Sequence, residues 1–120
     1  GHEWQAIQGG KDFFLKHKPT LYMEAKKEIK NTKKCLKWLF ENDWICYWHF
    51  SWRVNEKKVA EKDNIFFGDG DMNILAIHRS KAQPKNLLKI NNFDDEWTRE
   101  KYLGFYEKNN LEYFFDSITF

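Results

Sequence analysis

Apolar residues recur at helical spacing along the first seventeen positions. Trp4, Ile7, Phe14 and Leu15, with Ala6 and Phe13 flanking, predict a helix from His2 to about His17. Gly9-Gly10 interrupts it. A helical glycine costs about 1 kcal/mol relative to Ala, so the pair is expected where the backbone approaches a neighbouring strand closely. Pro19 stops the pattern, and Thr20-Leu21-Tyr22-Met23-Glu24 follows as a short apolar strand ending in a carboxylate. Such a strand between two helices reads as buried and parallel. A second helix is predicted from about Lys26 to Glu41, with Ile29, Leu36, Leu39 and Phe40 inward and Lys outward. Asn42-Asp43 ends it, and Trp44-Ile45-Cys46-Tyr47-Trp48-His49 makes a second strand. Helix, strand, helix, strand points to an α/β layer with right-handed crossovers.

Residues 50–70 read as a long loop containing Asn55, Asp63-Asn64 and Gly68-Asp69-Gly70, and loops of that length are usually functional or disordered. Met72 to His78 forms a third strand. Two strands joined without a helix should pair antiparallel, so a hairpin with an enlarged connection is expected between 44–49 and 72–78. Past Pro84 the character changes. Phe93-Asp94-Asp95 resembles a helix start, a helix is predicted from Glu96 to about Lys108, and Leu111 to Phe120 reads as strand-like. The chain thus divides into an α/β part, 1–78, and a C-terminal extension, 79–120.

Composition narrows the class. A 120-residue chain is normally one domain. No run of eighteen apolar residues exists, which argues against a membrane span, and the first residues lack the order of a signal peptide. Cys35 and Cys46 match no zinc or redox spacing. A disulfide between them is possible in principle; free thiols in a reducing cytoplasm are the simpler reading. Residues 1–40 carry nine Lys against four acids, mostly on the second helix. A solvated helix face explains such a run; a nucleic-acid patch would call for Arg and for aromatics on the same face, and a nucleic-acid partner is not expected.

The order of elements resembles the C-terminal half of an FkbM-type methyltransferase, a class of S-adenosylmethionine-dependent transferases. That family's pattern has a strand ending in Asp-Val-Glu-Gly and then a Glu-Leu-x-x-Leu-x-Gly-Ala helix. A Lys-Pro strand ending in Glu, a helix, an aromatic strand ending in His and a strand with Asn-Met-Leu follow. Gly1-His2-Glu3 stands at the end of the first motif. Glu3, Ile7 and Gly9-Gly10 match the helix, and Lys18-Pro19 with Tyr22-Met23-Glu24 match the strand. Tyr47-Trp48-His49, Asn64-Ile65-Phe66 and Asn73-Ile74-Leu75 complete the series, so that it covers residues 1–78. The resemblance implies the last part of a doubly wound, Rossmann-like class I methyltransferase sheet ending in a reversed antiparallel hairpin, with Gly1 and His2 at the edge of the cofactor site. Residues 79–120 are an α/β tail outside it. The Gly-rich turn that cradles the cofactor and the acidic residue that binds its ribose are absent from the sequence. With the opening helix starting at the very first residue and no initiator Met, the chain is expected to be a fragment, inactive and unable to bind S-adenosylmethionine alone.

Methyl transfer to a hydroxyl needs the acceptor held close and its proton removed. His49 is the candidate base, since histidine's ordinary pKa suits the task; a His hydrogen-bonded at a strand end is the plainer alternative. Glu24 ends the other strand, and ligands collect at the carboxyl ends of strands in open α/β sheets. It could orient a hydroxyl or accept its proton, or equally cap the next helix or pair with Lys27. Asn55 and Asn73 are candidate hydrogen-bonding groups for a polar acceptor, although Asn also favours turns. Trp48, beside His49, could stack on a sugar or simply pack in the core, as could Trp52. His2, His17 and His78 show no metal-ligand spacing, and no metal site is expected. No Gly-x-Ser-x-Gly, Walker or catalytic Cys pattern appears.

The expected function is O-methylation of a sugar, glycan or other small molecule by the complete protein, with S-adenosylmethionine as cofactor and a cytoplasmic location. The alternative is a non-enzymatic binding module whose Lys-rich helix takes an acidic partner. Oligomeric state is open on sequence grounds.

Overall fold

The hairpin expected of residues 44–49 and 72–78 forms, and it is longer at both strands. In the computed structural model, which describes residues 2–25, 29–52, 70–109 and 118–120, the elements are α1 (Glu3–Gly9), α2 (Lys11–His17), β1 (Leu21–Glu24), α3 (Ile29–Glu41), β2 (Trp44–Trp52), β3 (Gly70–His78), β4 (Leu88–Lys89) and α4 (Arg99–Lys108). β2 and β3 pair antiparallel from Trp44↔His78 to Trp52↔Gly70. The expected loop, with Asn55 and Asn64-Ile65-Phe66, falls largely outside the described residues. So do Lys27 and most of the strand-like end predicted from Leu111; 118–120 belong to no strand.

The sheet order is β1-β3-β2-β4, with every neighbouring pair antiparallel. This corrects the expectation of a buried parallel strand at 20–24. β1 is a terminal strand whose single neighbour among the described residues is β3, and only Met23 of it is buried. Its local apolar run records a half-buried strand, whereas the pairing partner is set by contacts fifty residues away. Because β1 and β2 both run against β3, they run parallel to one another with a reversed strand between them.

One face of the sheet carries the main core. Cys46, Trp48, Phe50, Met72, Ile74 and Ala76 point to it and meet Ile7 of α1, Cys35, Leu36 and Leu39 of α3, and Tyr102 and Tyr106 of α4. The helical period does this on α3, where Cys35, Leu36 and Leu39 are buried while Lys30, Lys34 and Lys37 are exposed. Burying each such aliphatic side chain contributes about 1.5–3 kcal/mol, so Leu39→Ala is the kind of change that would loosen α3. Asp43, in the left-handed region at φ 72°, ends the turn after α3, and its carbonyl accepts from the Arg79 amide at 2.8 Å.

The first helix is two. Gly10 (φ −111°) separates α1 from α2, its amide donating to the Ala6 and Ile7 carbonyls. A Cβ on Gly10 would come within 3.2 Å of the Ala6 carbonyl oxygen and 3.3 Å of the Phe14 ring, while one on Gly9 would meet nothing within 4 Å. The close approach is therefore between the helices themselves, not to a strand. At the other end, α4 starts at Thr98, whose hydroxyl accepts from the Lys101 amide at 3.1 Å. The acids at 94–95 lie before the helix: Asp95 accepts from the Asn91 amide and pairs with Lys101 at 3.2 Å.

Candidate functional site

Strand alternation sorts the candidate residues onto opposite faces. On the face away from the helices, Tyr47, Leu75, Ile77 and Leu87 form a smaller apolar cluster with Ile45 and Ile118. The segment after β3 covers it: Tyr47 Oη donates to Gln83 Oε1 at 2.9 Å, and Gln83 Nε2 donates to the His78 carbonyl at 3.0 Å. Toward the carboxyl ends of β1 and β2 the same face turns polar. Tyr22 and Tyr47 flank Leu75; the next row is Glu24, Asn73 and His49; beyond it Ser51 pairs with Asp71.

The row Glu24–Asn73–His49 brings together three residues that the sequence singles out separately. His49 is 6% exposed and Asn73 is 6% exposed, whereas Glu24 is open to solvent. Asn73 Nδ2 donates to the Asp71 carbonyl at 3.1 Å. His49 Nδ1 lies 2.7 Å from Tyr22 Oη, with the rings edge to face at 5.6 Å. His49 is not at a strand end as expected; β2 continues to Trp52, and His49 is level with the end of β1 instead.

Trp48 does not join this group. It lies on the helix-facing side, 2% exposed, in the main core, and its indole N–H has no hydrogen-bond partner among the described residues. A sugar stacking beside His49 cannot reach it. Asn55 and Gly1 lie outside the described residues. His2 is exposed ahead of α1 and its side chain makes no capping bond. Tyr22 is the member of the site that sequence reasoning missed as a functional residue. Its only signal is position in the strand: two residues before Glu24, it must share Glu24's face.

The described residues do not by themselves fit S-adenosylmethionine. Among the described glycines, Gly9 and Gly10 sit in the α1–α2 pair, Gly70 begins β3 and Gly104 lies in α4, so none forms a phosphate- or nucleoside-cradling turn after a strand. Among the described residues no three His, Cys, Asp or Glu side chains converge, and no helix is long and apolar enough to cross a membrane. Cys35 and Cys46 are free and buried. Burial, and secondarily the Glu3 carboxylate, pushes the Cys35 thiol up to about 11, and burial pushes Cys46 up to about 12, so neither is a nucleophile at neutral pH.

A second feature lies on the helical side. Trp4 and Gln8 of α1 and Lys34, Lys37, Trp38 and Glu41 of α3 line an open cleft of about 330 Å³. Part of the α3 charge is already answered within the chain: Lys33 pairs with Glu96 at 3.5 Å and Asp94 at 3.7 Å, and Lys37 sits 5.8 Å above the Phe93 ring. Comparison with protein-family models, with curated proteins and with solved structures finds no match for this chain.

Proposed function

We propose that the chain forms the acceptor side and sheet edge of an S-adenosylmethionine-dependent methyltransferase acting on an oxygen of a sugar or other small molecule. The observation that carries the reading is the cross-strand row Glu24–Asn73–His49. It puts a carboxylate, an amide and an imidazole side by side at the carboxyl end of β1 and three residues before that of β2, which runs parallel to it, and α/β sheets collect ligands at the carboxyl ends of their strands. The reversed β3 between them supports the resemblance to a doubly wound sheet closed by a reversed hairpin. The described residues do not supply a cradle for the cofactor. What this chain contributes is orientation of the acceptor and a path for its proton. Calorimetry with S-adenosylmethionine, on this chain together with whatever its gene encodes upstream, tests the reading. Binding is expected, and its absence in that protein would remove methyl transfer.

The alternative, a binding module for an acidic partner, draws on the cleft of Trp4, Trp38, Lys34 and Lys37, which places aromatics beside cations. The Lys33 pairs with Asp94 and Glu96 count against it, since they lower the charge available to a polyanion. A salt titration with single-stranded RNA separates the two: a polyanion binder loses affinity steeply as salt rises, whereas the methyltransferase reading expects no binding even at low salt.

A further inference from the structure

We propose that Tyr22 and His49 form a proton relay, in which the Tyr22 hydroxyl meets the acceptor's hydroxyl and the His49 imidazole behind it receives the proton. The inference rests on the acceptor-side reading above and deepens it. Tyr22 is 51% exposed on the terminal strand, and His49 is 6% exposed on β2. A buried imidazole is poorly placed to touch a dissolved alcohol, while the half-exposed phenol is well placed, and the two are joined at 2.7 Å.

Chemistry assigns the direction of that bond. A phenol O–H is a stronger acid than a neutral imidazole N–H, and an imidazole nitrogen is a stronger base than a phenol oxygen. The favoured form is therefore Tyr22 Oη–H donating to an unprotonated His49 Nδ1, with the ring proton on Nε2. When an alcohol hydrogen-bonds to Tyr22 Oη and loses its proton, that proton joins Oη as the original Tyr22 proton passes to Nδ1. The O–H bond of the alcohol breaks and an N–H bond forms; no electrons are exchanged. The products are an alkoxide-like acceptor oxygen and an imidazolium, and the proton later returns to water by the same route. Among the described residues, the charged and titratable groups on this face beside the pair itself are Glu24 of β1, Asp71 of β3, Tyr47 of β2 and Lys89 of β4. The two carboxylates are of the sign that steadies an imidazolium, and Lys89 is of the opposite sign.

Two-bond ¹H–¹⁵N correlation spectra of the full chain labelled at histidine nitrogens test this directly. The neutral His49 ring is expected to show a protonated Nε2 and a bare Nδ1. A proton on Nδ1 would overturn the relay. In Tyr22→Phe the Nδ1 resonance should move toward that of an imine-type nitrogen with no hydrogen bond; an unmoved resonance would equally overturn it. The wild-type spectrum needs no variant, so the test stands even if Tyr22→Phe misfolds. Since neither readout involves the cofactor, failure of S-adenosylmethionine binding with the expected tautomer present would remove methyl transfer and leave the relay.

Discussion

Glu24 and His49 stand opposite the same residue, each pairing with Asn73 from one side of β3. At ~4.8 Å per strand their backbones are ~10 Å apart. The apolar face maintains this alignment. Cys46, Ile74 and Ala76 are fully buried toward the helices, and a one-residue slip of any strand would turn them to the other side. The packing of the core thus positions the polar row that does no packing on that side.

Asn73 is the middle of the row, and its side chain holds the Asp71 carbonyl. Asn73→Ala should cost about 1–2 kcal/mol, the range for losing a buried hydrogen bond, read as a lower urea midpoint with an unchanged slope. A loss of several kcal/mol would mean that Asn73 anchors the hairpin itself.

The glycines offer a contrast within one fold. Gly9 ends α1 and Gly104 lies inside α4, and a Cβ on either meets nothing within 4 Å. Each changed to Ala should gain about 0.5–1 kcal/mol through helix propensity and reduced freedom of the unfolded chain. Gly10→Ala must press on the Ala6 carbonyl and the Phe14 ring at 3.2 and 3.3 Å, so it should gain nothing or lose stability. Thermal melts of the three variants check the order, and an equal gain at Gly10 would contradict the tight α1–α2 junction.

The buried thiols make stability fall on the alkaline side. In the folded chain Cys35 keeps its proton to about 11 and Cys46 to about 12, against an ordinary thiol value of 9.0. Above pH 9 the unfolded chain has therefore lost protons that the folded chain retains. The contribution is intact below pH 9 and declines as pH rises through the folded values, by about 1.4 kcal/mol per pH unit for each group in its window. Urea midpoints in reductant at pH 8, 9 and 10 should fall, and less so in Cys46→Ala. A flat profile would show that the thiols are not desolvated.

Particular residues show what was readable in the chain. The burial of Leu36 and Leu39 follows from their spacing, and the β2–β3 hairpin follows from two strands joined without a helix. Alternation likewise separates Trp48 from His49, adjacent in sequence and opposite in the sheet. Strand order is not local: Leu21–Met23 looks the same whether its partner is parallel or antiparallel. The Tyr22–His49 bond spans 27 positions and leaves no pattern between them. β4 has only two residues, Leu88 and Lys89, too few for any period to register. At α4 the acids 94–95 imitate a helix start, while Thr98, with its hydroxyl on the Lys101 amide, provides the real one.

The tail beyond residue 78 belongs to the core that the α/β part builds. Ile90, Tyr102 and Tyr106 pack in the same cluster as Leu39 and Ile74. Tyr102 is the joint: its hydroxyl accepts from the Phe50 amide at 3.3 Å and donates to Tyr106 at 3.2 Å. Burial foremost, and then Tyr106, raises its ionisation well above the usual phenol range. Two substitutions separate its ring from its hydroxyl. Tyr102→Phe keeps the ring in the core and removes both bonds, which should cost about 1–2 kcal/mol. Tyr102→Ala also empties the site and should cost about 3–5 kcal/mol. Equilibrium urea denaturation measures both, with tryptophan fluorescence and far-ultraviolet dichroism expected to change together as in a single cooperative unit. If Tyr102→Ala released α4 while the remaining signals melted at the wild-type midpoint, the tail would be an appendage and the shared core would be refuted.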